Sequence, residues 1–367
     1  MKENFISLGL MSGTSMDGID ASIVKSDGEQ FIEIIDDSYL KYENELKFKL
    51  KKIINLCTSR DKLLKFSKEI KEVENEVTHK HIEAFKLISK KNKNLDIDLI
   101  GFHGQTILHK PESGYSIQIG NSKTLSRFTG KIVVSDFRKN DISNGGQGAP
   151  LTPLYHQQIL NKIKSNYPSV IINIGGISNI TYLDKNNNLS SFDTGPGNYL
   201  IDEWVSKKNK IEFDEDGLIA KLGKINGPVL NELLSNPYYK KKFPKTLDVK
   251  DFYIKDLDKL SLADGCATLS MLTVKAICIG INSFKDKVNT IIISGGGRKN
   301  NFIIDNIKKI LNRSINLIDE YNFNGDFIES QAFGYLAIRS YLKKIITYPN
   351  TTGVKKPCTG GLITKIQ

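Results

Sequence analysis

Three apolar runs in the second half of the chain each end in small residues, and no other feature narrows the possible folds as much. Ser169 to Asn173 leads into Gly175-Gly176, Leu189 to Phe192 into Asp193-Thr194-Gly195-Pro196-Gly197, and Thr290 to Ser294 into Gly295-Gly296-Gly297. A short apolar run without polar alternation reads as a strand buried on both faces, and such strands need helices to cover them. Helically spaced stretches lie between them. The pattern therefore predicts an α/β layer fold whose glycine turns gather at one edge of the sheets.

The first half adds a hairpin. Phe5 to Leu10 and Ile19 to Val24 read as paired strands, joined through Ser12, Gly13, Thr14, Ser15, Met16, Asp17 and Gly18. Small hydroxyl side chains and backbone N–H groups in a tight turn can close around phosphate oxygens. The same residue types also build hairpin turns that bind nothing. Helical spacing runs from about Glu43 to Lys91 with a break at Cys57-Thr58-Ser59, and a helix is expected from about Ser122 to Thr129. Strands are expected at Leu95 to Phe102, Tyr115 to Ile119 and Lys131 to Ser135. The domain boundary is placed near residue 132. The first domain then comprises 1–132 and about 335–367, with the helix Glu329 to Ile345 packing back on it, and the second comprises 133–334.

A chain of 367 residues, 39% hydrophobic, can bury two cores, and a cleft between two domains is a natural ligand site. The net charge of +11 comes mainly from scattered lysines, with no Arg-rich arm and no basic motif interleaved with aromatics. Nucleic acid is therefore not the expected partner, although the field favours anionic ligands. The four cysteines, Cys57, Cys266, Cys278 and Cys358, show no pairing pattern, which suits free thiols in a reducing compartment. No signal-type core is present and no segment is expected to span a membrane, so the expected location is cytoplasmic. Ser261 to Phe284, the most apolar stretch, serves either as core or as the interface of a homodimer. His79 and His81 fall on different helix faces, and no metal site is expected.

Neither Gly-x-x-x-x-Gly-Lys-Ser/Thr nor Gly-x-Gly-x-x-Gly after a strand occurs, so a P-loop and a dinucleotide-binding Rossmann unit are both disfavoured. Separate small-residue turns at 12–18, 173–179, 193–197 and 294–298 could instead grip one nucleotide together. Asp193 stands out for chemistry, because it ends a strand and precedes Thr-Gly-Pro-Gly. It either orients a nucleophile or caps a helix beginning near Asn198. Asp17, Asp20, Asp136, Asp141 and Glu329 are the competing carboxylates.

Eight strings occur in order along the chain: Gly9 to Asp20, Gly101-Phe102-His103-Gly104-Gln105-Thr106, Asp136-Phe137-Arg138, Gly145 to Pro150, Asn173 to Asn179, Phe192 to Asn198, Asp264-Gly265, and Ser294 to Arg298. Together they resemble the bacterial anhydro-N-acetylmuramic acid kinases over nearly the whole chain. The resemblance implies the two-domain fold of sugar kinases, actin and Hsp70, with ribonuclease H-like cores and an interdomain cleft. It implies use of ATP with Mg2+ to open a small anhydro amino sugar and phosphorylate its O6, with Asp193 as the base. Gly13, Thr14, Ser15, Met16, Asp17, Gly18, Ile19 and Asp20 match the ATP turn. Asn173, Gly175, Gly176 and Gly195 are expected at the nucleotide as well, and Gly295, Gly296, Gly297 and Arg298 against adenosine. Arg138, Asp141, Glu329 and Gln105 are expected at the sugar, Arg138 because its fork suits a carboxylate. Three stretches depart from the family pattern: Lys245 to Phe252, where an arginine is missing, Glu329-Ser330, and Thr352-Gly353-Val354. Alternatives are a kinase for another amino sugar and a non-catalytic ATP-dependent switch on the same fold.

Overall fold

The computed structural model describes residues 2–247, 252 and 257–366. The chain forms two units, Met1–Gln158 with Glu329–Gln367, and Ile159–Ile328. The division thus falls later than the expected residue 132, and for a simple reason. The strand at 132–135 hydrogen-bonds into the first sheet, and the chain leaves that unit only after the helix Pro153–Lys162 has begun.

In the first unit, the strands β1 (Phe5–Ser12), β2 (Gly18–Ser26) and β3 (Ile32–Lys41) form an antiparallel meander. β4 (Leu99–Lys110) lies parallel to β1, and β6 (Ile132–Ser135) parallel to β4. β5 (Tyr115–Ile119) pairs antiparallel with the outer half of β4. In the second unit, β7 (Ser169–Ile174), β8 (Ile177–Leu183) and β9 (Leu189–Pro196) repeat the antiparallel meander. β10 (Thr290–Ser294) is parallel to β7, and β11 (Asn316–Leu317) parallel to β10. The orders β3-β2-β1-β4-β6 and β9-β8-β7-β10-β11 are the same path of antiparallel and parallel neighbours. Each unit therefore carries the ribonuclease H-like core that the resemblance implied.

Close helix–sheet packing in the first unit depends on two glycines. A Cβ on Gly9 of β1 would stand 1.8 Å from the carbonyl oxygen of Ser330, and one on Gly101 of β4 would stand 2.2 Å from that of Phe333. The helix Ile328–Tyr341 thus lies with its backbone almost on the strands, and the expected return of the last helix to the first unit is found. The expected break at Cys57 to Ser59 separates the helices Asn44–Leu56 and Arg60–Lys65, and the Ser59 side chain accepts from the backbone of Lys62.

Leu262–Asn282 is long and apolar enough to cross a membrane, contrary to the expectation that no segment would be, yet 72% of its most apolar window is buried inside the protein. Leu269, Leu272 and Ile277 from this helix share one cluster with Val170, Ile172 and Phe192 of the sheet. Of core and interface, the helix serves as core. Its apolarity on all sides is that of a helix wrapped by a large interior. All four cysteines are free, three of them buried.

Candidate active site

Asp193 lies on β9 opposite Asn179 of β8, next to a bulge that lets Ser178 pair with Gly195. It is only 6% exposed, and one segment holds it at three points. The backbone N–H of Leu247 donates to its Oδ2 at 2.9 Å, its own N–H donates to the carbonyl of Lys245 at 3.0 Å, and the Tyr238 hydroxyl donates to its carbonyl oxygen. Lys245 in turn donates to the carbonyl of Tyr238 at 3.1 Å and lies over that ring, 4.5 Å from its centre. Burial lowers the pKa of Lys245, and Lys241 adds to this while Asp193 opposes it. Burial, then the charge of Asp193, raises that of Tyr238. The carboxylate is thus buried and held in place through Oδ2, as a positioned base requires. Of the departing stretch Lys245 to Phe252, residues 248–251 lie outside the described residues. Tyr238→Phe removes one anchor and should lower kcat by about fivefold, the worth of one neutral hydrogen bond, with KM for ATP unchanged in steady-state assays.

Asn179 is a residue that the sequence reading did not single out. Partners in register share a face of the sheet, and its Oδ1 is buried with no hydrogen-bond partner. Only pairing between β8 and β9 could have flagged it.

The glycine turns of the second unit converge. The N–H groups of Gly197 and Asn198 donate to the carbonyls of Gly176 and Gly175. Gly295 has φ +78°, and a Cβ there would stand 2.4 Å from Oδ1 of Asn173. Asn173, Gly175, Gly176, Gly295, Gly296 and Gly297 are therefore one cluster of backbone. Two neighbours expected to touch nucleotide behave differently. Gly195 faces the core helix, where a Cβ would meet Ala276 at 2.7 Å, so its small size serves packing. Arg298 is buried, with Nε and Nη2 donating to Asp319 at 2.6 and 3.0 Å and Nη1 to Asp326 at 2.6 Å and to the Gly295 carbonyl at 3.1 Å. Burial opposes its charge, but the two carboxylates outweigh that and hold its pKa above the usual value. It ties the glycine turn to 319–326. Arg298→Met should destabilise the second unit by about 2 kcal/mol in denaturant titrations, less than a fully buried pair because Asp319 and Asp326 stay partly exposed, and should raise KM for ATP.

In the first unit, Thr14 and Ser15 are exposed at the tip of the β1–β2 turn, Gly13, Met16, Asp17 and Asp20 are half-buried, and Gly18 and Ile19 are buried. Asp17 pairs with Lys47 at 2.5 Å. Ile19 packs into the core, so only its backbone remains for a ligand. Gln105, expected at the sugar, is fully buried beneath this turn instead. Its Oε1 accepts from Ser12 at 2.6 Å and its Nε2 donates to the carbonyl of Gly13 at 3.1 Å, so it shapes the phosphate turn.

Asp141, also expected at the sugar, is 1% exposed. Its Oδ1 accepts from the N–H of Gly148 at 2.6 Å and its Oδ2 from Thr352 at 2.5 Å, which folds the run 144–150 into a fixed loop. Thr352 belongs to a departing string, and its hydroxyl is part of this loop. Arg138 is half-buried beside the loop, with Nη1 donating to the Gly148 carbonyl at 2.7 Å. Glu329 is half-buried in the first turn of Ile328–Tyr341, where the helix dipole favours a carboxylate. The serine after it, a departure from the family pattern, hydrogen-bonds Ser22 at 2.6 Å, and Ser22 donates to Asp37 at 2.5 Å. Among the described residues no group of three or more His, Cys, Asp or Glu could hold a metal ion.

The family model for anhydro-N-acetylmuramic acid kinase matches residues 5–366. Curated relatives of that name include one from Pelagibacter ubique (strain HTCC1062), 45% identical with full coverage of both chains. One from Zymomonas mobilis is 37% identical over 98% of this chain and 99% of its own. One from Agrobacterium fabrum is 36% identical with full coverage of both. The ordered strings, the paired ribonuclease H-like cores and these full-length matches agree: the chain belongs to the anhydro-N-acetylmuramic acid kinase family and is a kinase of that activity.

Proposed function

We propose that the protein uses Mg-ATP and water to convert 1,6-anhydro-N-acetylmuramic acid into N-acetylmuramic acid 6-phosphate and ADP, a step in recycling cell-wall fragments. The observation that carries this reading is the Asp193 carboxylate, buried at the end of a strand with the Leu247 N–H donating to its Oδ2. Asp193 takes a proton from water as the water oxygen bonds to C1 of the sugar. The bond from C1 to the bridging oxygen breaks, and that oxygen, now O6, receives the γ-phosphoryl group while ADP departs. The proton leaves Asp193 for solvent before the next turnover. Water activation follows the logic of an inverting glycosidase, and phosphoryl capture makes O6 a better leaving atom.

Within the first unit, the exposed tip of the Gly13–Asp20 turn offers backbone N–H groups and hydroxyls to phosphate, and the carboxylates of Asp17 and Asp20 would help to hold a metal ion carried by ATP. Arg138 takes the lactyl carboxylate, and Glu329 a sugar hydroxyl. Within the second unit, Asn173, Gly175, Gly176 and Gly295 to Gly297 form the nucleotide surface, and Asn179 joins Asp193 at the reacting water. Four free cysteines and a buried apolar helix suit a cytoplasmic protein. Incubation with Mg-ATP and the anhydro sugar in oxygen-18 water, quenched early, tests the reaction. The label should appear on C1 of the phosphorylated product. Turnover of open sugars only, or no ATP consumption, would overturn it.

A further inference from the structure

The second unit holds a cavity of about 50 Å3 that the proposed reaction does not use, with Thr194, Tyr239, Lys241, Phe243, Lys245 and Ser283 in its lining. Four lysines, Lys240, Lys241, Lys242 and Lys245, fall within six positions of the chain, and among the described residues none of them forms an ion pair. Two of the four line the cavity. Lys245 is 8% exposed. An ammonium group can donate three hydrogen bonds, and the Tyr238 carbonyl takes one from Lys245 at 3.1 Å. A buried cation with so few partners is destabilised, and a second cation beside it adds to this. Burial first and Lys241 second lower the pKa of Lys245, with Asp193 offsetting part of the effect.

Tyr239 adds a third donor. Its hydroxyl oxygen is buried with no hydrogen-bond partner, 3.2 Å from where a Cβ on Gly195 would stand. Burial raises its pKa, so the hydroxyl keeps its hydrogen. Buried hydroxyls are destabilising until they find an acceptor. A water molecule would satisfy the hydroxyl and leave the two cations opposed, whereas an anion answers all three groups. None of the described residues in the lining is acidic. A space of about 50 Å3 takes about four bodies the size of water, which is the bulk of one phosphate ion and well short of a nucleotide.

We propose that the second unit binds one phosphate oxyanion in this cavity, through the ammonium groups of Lys241 and Lys245 and the Tyr239 hydroxyl. A dianion matches two cations, and tetrahedral oxygens can accept from three side chains at once. Free inorganic phosphate and the phosphoryl group of a sugar phosphate carry the same oxygens and are the two sources of this ligand. The site lies on the segment from Tyr238 to Leu247 that also holds Asp193.

Calorimetric titration with inorganic phosphate tests the site, with ADP present at saturation so that the nucleotide surface is filled. The wild type should show a single site. Lys241→Ala should weaken it by about tenfold or more, the worth of a charge-assisted contact, and Tyr239→Phe by about fivefold, the worth of a neutral one. Lys241 is exposed and Tyr239→Phe removes one oxygen, so both variants should fold. Lys242 is exposed and does not line the cavity, and Lys242→Ala should change the dissociation constant by less than about twofold. Equal losses in Lys241→Ala and Lys242→Ala would mean a diffuse positive field and no site. Wild-type protein that takes up no phosphate, or unchanged affinity in both Lys241→Ala and Tyr239→Phe, would overturn the assignment outright. N-acetylmuramic acid 6-phosphate in the same titration separates the sources. Binding that Lys241→Ala weakens means that the cavity accepts a phosphoryl ester, whereas binding that it leaves unchanged belongs to the sugar site and makes free phosphate the ligand of the cavity.

Discussion

Asp193→Asn is expected to bind ATP as wild type does while turnover falls by about 10²- to 10⁴-fold, the usual loss when a general base is removed. The substitution keeps shape and one acceptor oxygen, so the Leu247 N–H retains a partner and the segment from Tyr238 to Leu247 stays seated. What disappears is basicity toward water. Nucleotide titration by calorimetry should give an unchanged dissociation constant, and rapid-quench single turnovers should show the slowed chemical step. Turnover within threefold of wild type would remove Asp193 from the reaction. Loss of ATP binding in step with turnover would point instead to a positional role.

Gly9→Ala is expected to be the most damaging single methyl in the first unit. The added carbon would overlap the Ser330 carbonyl oxygen at 1.8 Å and approach the Gly334 N–H at 2.5 Å. Both are backbone of one helix, so no rotamer change relieves the clash, and the neighbours Leu8 and Leu10 are fully buried. Overpacking of this kind costs about 3 kcal/mol, equivalent to a fall in melting temperature of about 6 to 12 °C for a unit of this size. Differential scanning calorimetry measures it. A midpoint within 2 °C of wild type would mean that the helix shifts along the sheet at little cost.

Several main strands and their glycine turns were legible because apolar residues are dense in them, and small residues mark where backbone must turn or approach closely. β3, β8, β11 and β12 (Leu362–Thr364) were not. β3 reads Ile-Glu-Ile-Ile-Asp-Asp-Ser-Tyr-Leu-Lys, and β12 has three residues that only their pairing with β6 makes a strand. The boundary near 132 was misplaced because the change from strand to loop is visible in sequence, whereas the sheet that the strand joins is not. Within the candidate site, Asp193 and the glycine clusters were visible as residue types. Gln105, Asp141 and Arg298 were visible too, yet the structure shows them holding turns and loops. Polar residues in a glycine-rich string have the same letters whether they face a ligand or the turn beneath it. The Leu247 N–H on Asp193 had no sequence signal, since any residue but proline supplies that donor.

The first unit is made from two stretches, with the whole of the second unit between them in the chain. During synthesis β1 to β6 emerge long before the helix whose backbone covers Gly9 and Gly101, and domains generally fold as the ribosome releases them. The continuous second unit is then the earlier to close, although it begins later. Of the two units, the one whose chain appears earlier is thus the later to be completed.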